Sequence, residues 1–197
     1  MQNTRKAVDM LFVSRVRIKL LKYFFTQPDV PVHLRGAVRE LKEEINAVRR
    51  ELMRLEEIKV LKSEARGNRK YYMLSRQAPF YEELRGMVFK TFGLGGDLLR
   101  NLPKLGKIDF IILTGLYLNG TSLSGHQVDM VVIGDVELEE LNRIVGEYET
   151  KEEKEINYTV FSAKDFELRK RRKDSFVLEL LLGPKLMLLG THEDLIS

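Results

Sequence analysis

The hydrophobic rhythm of the chain changes once, near its middle. Up to about residue 100, apart from a strand-like stretch at 59–74, apolar positions recur at spacings of three and four, as helices require; beyond about residue 105 they gather in short runs of strand length. In SRVRIKLLKYFF, residues 14–25, Val16, Leu20, Leu21, Phe24 and Phe25 share one broad face behind a serine placed to cap the first turn, which predicts a packing helix. A turn signal, TQPDVP, follows, and HLRGAVREL then predicts a second short helix with Leu34, Val38 and Leu41 inward. In EINAVRRELMRLEE, Ile45, Val48, Leu52 and Leu55 stack on one face for burial and leave Asn46, Arg49, Arg50 and Arg54 to solvent. No glycine marks a turn near Lys42 and Glu43, so the pattern also allows one helix from about 33 to 57. KVLKSEARGNRKYYML reads as two short strands joined by a basic turn, Arg66, Gly67, Asn68, Arg69 and Lys70.

Further on, PFYEELRGMVFKTFGLGGDLLRNL predicts a helix ended by Gly93 to Gly96 and a shorter one ended by Pro103, an expected linker and possible dimer surface. KIDFIILTG, VDMVVIGD, EINYTVFS and KLMLLG then predict strands, interleaved with helical DVELEELNRIVGEYE and AKDFELRKRRK and a short apolar segment from Phe176 to Leu182. Strands alternating with helices predict a small mixed α/β domain. The expected division is therefore 1–76, 77–105 and 106–197.

Charge sharpens this picture. Residues 1 to 75 hold 17 Lys+Arg against 9 Asp+Glu, and residues 76 to 197 hold 16 against 20, an asymmetry that the total of +4 conceals. A surplus of cations in the first part points to a polyanionic partner there and to some other task for the remainder. Arginine's planar fork suits guanine edges and phosphates, and asparagine can pair with adenine, so Asn46, Arg49 and Arg50 are candidates to read bases in a major groove. Arg54, Arg66, Arg69 and Lys70, with Asn68 at the turn, are candidates to hold the neighbouring backbone or minor groove. An ordinary solvated helix beside an ordinary hairpin is the plainer alternative. The chain has no cysteine, which excludes disulfide scaffolds and thiolate zinc sites and suits a reducing cytoplasm. Neither the first residues nor FVLELLLGPKLMLLG, broken by Glu179, Gly183, Pro184 and Lys185, reads as a signal peptide or membrane span.

The segment GLYLNGTSLSGHQVDMVVIG, residues 115–134, resembles the signature of the minimal DNA polymerase beta-like nucleotidyltransferases: a Gly-Ser turn, a spacer, then an Asp-x-Asp pair opening a hydrophobic strand. Alternate strand positions share a face, so such a pair sets two carboxylates side by side for hard divalent cations. The resemblance places Gly115 at the turn glycine, Leu116 at the serine, Gln127 and Asp129 at the two aspartates, and Asn157 at the third acid of a later strand. Glu155 and Asp109 are the nearby acidic substitutes, and His126 reads as a polar loop residue.

The resemblance extends over nearly the full length, through NAVRRELMRLEE, GNRKYYML, YEELRGMVFKTFGL, VVIGDVELEELN, EINYTVFSAKDF and GPKLMLLG, to prokaryotic, often archaeal, proteins that fuse an ArsR-like winged helix to a minimal nucleotidyltransferase domain. It implies an α+β fold: an N-terminal winged helix-turn-helix followed by a small mixed α/β nucleotidyltransferase-like domain, here degenerate. The expected function is a cytoplasmic transcriptional regulator that binds double-stranded DNA as a homodimer, without a cofactor, its second domain sensing a nucleotide ligand or contacting a protein. Two alternatives stand beside it: a working nucleotidyltransferase using magnesium and a nucleotide, with the winged helix as recruiter, and an antitoxin-like interaction protein whose acidic helix, 136–149, docks a basic partner. The basic run from Arg169 to Lys173 reads as a solvated helix face.

Overall fold

The computed structural model describes residues 14–119 and 127–197, so His126 lies outside the described residues. The fold is mixed α+β, with helices and a sheet in each of two compact units, Met1–Phe92 and Gly93–Ser197. The helices of the expected linker thus fall one in each unit.

In the first unit α1, Arg15–Thr26, starts where the Ser14 hydroxyl accepts the Arg17 N–H at 3.2 Å, and it buries Leu20, Leu21, Phe24 and Phe25. After β1, Val32–His33, helix α2, Leu34–Leu41, is capped by His33, whose Nδ1 accepts the Gly36 N–H at 2.9 Å. Gly36 and Ala37 are its buried residues, while Leu34, Val38 and Leu41 are half-buried against the same core. The continuous helix that the pattern allowed is broken at Lys42, in the left-handed region at φ 53 and ψ 47. That conformation costs a side-chain-bearing residue about 1–2 kcal/mol. Glu44 offsets it by accepting the N–H groups of Asn46 and Ala47, both at 2.8 Å, and so starts α3, Ile45–Glu57.

Helix α3 buries Val48, Glu51, Leu52 and Leu55. Ile45, expected inside, is 36% exposed, because it is the first residue of α3 and projects from the turn rather than from the packed stripe. Strands β2, Leu61–Arg66, and β3, Arg69–Leu74, pair antiparallel, with β1 on the far side of β3. Register from Arg66 to Arg69 leaves Gly67 and Asn68 as the turn, with Gly67 at φ +57, where glycine carries no steric cost. Helix α4, Tyr81–Thr91, closes the same core through Tyr81, Leu84 and Val88.

The second unit opens with α5, Gly93–Arg100. Gly93 to Gly96, expected to terminate the preceding helix, instead form the first turn of α5; the break lies at extended Phe92 and at Gly93, φ +61. The sheet comprises β4, Gly106–Thr114, β5, Met130–Val136, β6, Tyr158–Phe161, and β7, Lys185–Leu189, in the order β6-β5-β4-β7, with only the β5–β6 pair parallel. Its central residues, Ile111 to Leu113 and Met130 to Ile133, are buried, as strands covered on both faces require. Helix α6, Gly115–Asn119, follows β4 directly, and α7, Leu138–Glu152, follows β5. Helices α8, Ala163–Arg171, and α9, Ser175–Leu182, precede β7, and α10, His192–Ile196, ends the described chain. Ile112, Val131 and Ile133 of the sheet pack with Phe166, Val177 and Leu180 of α8 and α9. The acidic helix therefore begins at Leu138 rather than Val136, which belongs to β5. No helix among the described residues is long and apolar enough to cross a membrane.

Candidate nucleic-acid interface

The amphipathic stripe that buries Val48, Leu52 and Leu55 turns Asn46, Arg49, Arg50, Met53, Arg54 and Glu57 to solvent on α3, and the hairpin tip from Arg66 to Lys70 is exposed throughout. Between them runs a groove of about 860 Å³, lined by Arg49, Met53, Glu56 and Glu57 of α3, by Asn68, Arg69 and Lys70 of the hairpin, and by His33 and Arg35 at the start of α2. Arg49, Asn68, Arg69 and Lys70 therefore meet at one groove. Asn46, Arg50, Arg54 and Arg66 lie outside its lining.

The cations differ in how far they are already engaged. Arg54 donates to Glu51 at 2.9 Å, Lys70 to Glu56 at 2.7 Å, and Arg66 to Glu64, with the Arg66 guanidinium over the Tyr71 ring at 5.2 Å. Arg49 donates to the Asn46 amide oxygen at 3.1 Å. Among the described residues Arg49, Arg50 and Arg69 make no ion pair, so their charge is available to an incoming polyanion without breaking one.

The Glu56 carboxylate also accepts from Ser63, which ties the end of α3 to the hairpin. Burial opposes its ionisation, but the Lys70 and Ser63 hydrogen bonds outweigh that and hold the carboxyl below the usual range. The Lys70 ammonium is held above its ordinary value mainly by the Glu56 hydrogen bond. Exposed pairs of this kind are worth at most about 1 kcal/mol, little enough for a phosphate to displace.

Two residues that position the face, Glu51 and its partner Arg17, were missed in the sequence. Glu51 is 4% exposed and accepts from Arg17 Nε at 2.8 Å and from Arg54 at 2.9 Å, joining α3 to α1. Burial alone would raise its carboxyl; Arg17, with smaller help from Ser14 and Arg54, holds it below the usual carboxylate range. The signal was present, since position 51 falls three after Val48 and four before Leu55, on the buried stripe.

In the second unit, Gly115 is buried at the start of α6, Leu116 is half-buried within it, and Gln127 is exposed ahead of β5. Asp129 is 6% exposed, and Asn157 lies beside it. The Asp129 N–H donates to the Asn157 carbonyl at 2.7 Å, and the Asn157 N–H donates back to the Asp129 carboxylate at 3.0 Å. The Thr114 N–H meets the Asp129 carbonyl at 3.0 Å. Asp129 thus spends its carboxylate joining the starts of β5 and β6. Two neutral amides and a leucine at the other positions leave a donor set that does not fit magnesium and a triphosphate. Asp109 cannot complete it: at about 3.3 Å per residue it lies roughly 16 Å along β4 from Thr114. Among the described residues no three acidic or imidazole side chains converge on a point that could hold a cation. A further pair unseen in the sequence, Tyr117 and Tyr148, joins α6 to α7 through hydroxyls 3.1 Å apart, and burial pushes the Tyr117 hydroxyl well above its ordinary range. Arg169 to Lys173 end α8 and enter the following turn, where Arg169 reaches Asp174 at 3.3 Å.

No protein-family model matches the chain, and no curated protein sequence gives a significant match. Among solved structures it is similar to reduced HlyU from Vibrio cholerae N16961, at 18% identity and a TM-score of 0.33, over 46% of this chain and 88% of that one. It is also similar to human N-acetylserotonin methyltransferase in complex with SAM, at 16% identity and a TM-score of 0.30, over 60% of this chain and only 37% of that one. Overlap this partial carries no argument about fold or function.

Proposed function

We propose that this protein is a winged helix-turn-helix regulator of transcription that binds double-stranded DNA as a homodimer, with α3 in the major groove and the β2–β3 hairpin as the wing. The observation that carries the proposal is the groove at which Arg49 of α3 and Arg69 of the hairpin converge, neither of them in an ion pair among the described residues, while Glu56, in the same lining, is taken by Lys70. Asn46, Arg49 and Arg50 read base edges; Arg69, with Arg54, Arg66 and Lys70 once phosphates displace their carboxylates, fixes register on the backbone. Asn68, at the hairpin tip, adds an amide beside the backbone.

The second unit, in this proposal, keeps a minimal nucleotidyltransferase shape and works through ligand sensing or protein contact rather than phosphoryl transfer. Asp129 supports that assignment by committing its carboxylate to the Asn157 backbone. A two-fold regulator requires half-sites about one helical turn, roughly 10 base pairs, apart. Hydroxyl-radical footprinting on DNA upstream of its own gene is expected to show two protected patches at that spacing. Protection without periodicity, or none at any protein concentration, would rule out the dimeric regulator.

A further inference from the structure

Met53 is 57% exposed on the solvent side of α3, four residues after Arg49 and three after Arg50. Isolated apolar residues are ordinary on a flat surface. Met53 instead lines the concave groove together with Arg49, Arg69 and Lys70. Phosphates suit the cations around it and not a thioether, so its counterpart on a duplex must be apolar. At the level of the base edges the major groove offers one such group, the C5-methyl of thymine. Farther along the helix stand Glu56 and Glu57. Glu56 is held by Lys70 and Ser63, whereas exposed Glu57 would repel the backbone, so on the groove side of α3 the base-reading stretch ends at Met53, and Arg54 beside it is left for the phosphates.

We infer that Met53 is a specificity-determining residue that contacts a thymine methyl close to the guanine edge taken by Arg49. The inference rests on the duplex-facing role of α3 proposed above. Four residues of helix span about 6 Å, and base pairs rise about 3.4 Å, so the thymine lies about two base pairs from that guanine.

The test uses the full chain and a duplex selected from a random pool. Each thymine is replaced in turn by deoxyuridine, which removes the methyl and nothing else. Wild-type affinity is expected to fall about fourfold at one thymine, the worth of one buried methyl, and the Met53→Ala variant is expected to bind the thymine and uracil duplexes equally. An unchanged melting curve establishes that the variant is folded. Insensitivity to uracil at every position, or a uracil effect that survives in Met53→Ala, overturns the inference; loss of affinity in Arg49→Ala on the same duplex would then show that the role of α3 stands. A pool that yields no bound duplex overturns both.

Discussion

Replacing Arg49 and Arg50 together with alanine is expected to weaken duplex binding about thirtyfold or more and to leave the melting temperature unchanged. Both side chains are exposed, and neither makes an ion pair among the described residues. Arg49 gives up one hydrogen bond, to Asn46, and alanine favours the helix more than arginine does, so stability should move by no more than about 0.5 kcal/mol. Each bidentate arginine contact to a base is worth about 1–3 kcal/mol, which for two sites gives at least a thirtyfold loss. Fluorescence anisotropy with a labelled duplex and a thermal melt read the two quantities. Undiminished affinity in the folded variant would mean that this face of α3 does not meet DNA.

Substituting Glu51 should do the reverse, costing stability before affinity. The Glu51→Ala variant is expected to lose about 3 kcal/mol, at the low end of what breaking a buried ion pair costs, because the Arg17 side chain retains 31% exposure and can recover some water. Urea denaturation measures the loss, and wild-type stability in the variant would show that the Arg17–Glu51 pair does not hold α3 against α1. The sign of the pH dependence follows from the lowered carboxyl. A group whose folded pKa lies below its unfolded value, here 4.5, stabilises fully above that value and ceases to do so as pH falls through the folded one. Wild-type protein should therefore lose stability on acidification below about pH 5, and Glu51→Gln should show a shallower loss over the same window.

Periodicity exposed much of the fold. The change from a spacing of three and four to short apolar runs located the second sheet, and the helical repeats with the strand-like segments flanking the basic turn gave the helix–helix–helix–hairpin order, while β1, only two residues long, escaped. What stayed hidden depends on contacts between distant residues or on rare local conformations. The break before α3 is made by a left-handed lysine and a glutamate cap, neither of which is a usual turn or cap residue, so nothing in the pattern forbade a single helix. Gly93 to Gly96 read as a terminator, yet three of the four residues, Leu94, Gly95 and Gly96, are buried in α5.

The candidate site was legible to the same degree. Exposure of Arg49 and Arg50 follows from the helical repeat alone. The pairing of Arg54 with Glu51 and of Lys70 with Glu56 does not, since the second joins residues 14 positions apart through the packing of hairpin on helix. Asp129 and Asn157 stand 28 positions apart and meet because β5 and β6 pair in parallel, so the linear sequence could show a lone acid at Asp129 but not that its carboxylate accepts the Asn157 N–H.

The central claim is that cationic side chains of α3 and the hairpin hold duplex DNA, and the salt dependence of binding tests it most directly. Four phosphate contacts, from Arg54, Arg66, Arg69 and Lys70, should give a slope of roughly −3.6 per protomer in log affinity against log salt concentration, and Arg69→Ala should reduce it by about 0.9. A duplex affinity that is flat in salt, or no duplex bound at about 50 mM salt, would contradict the claim.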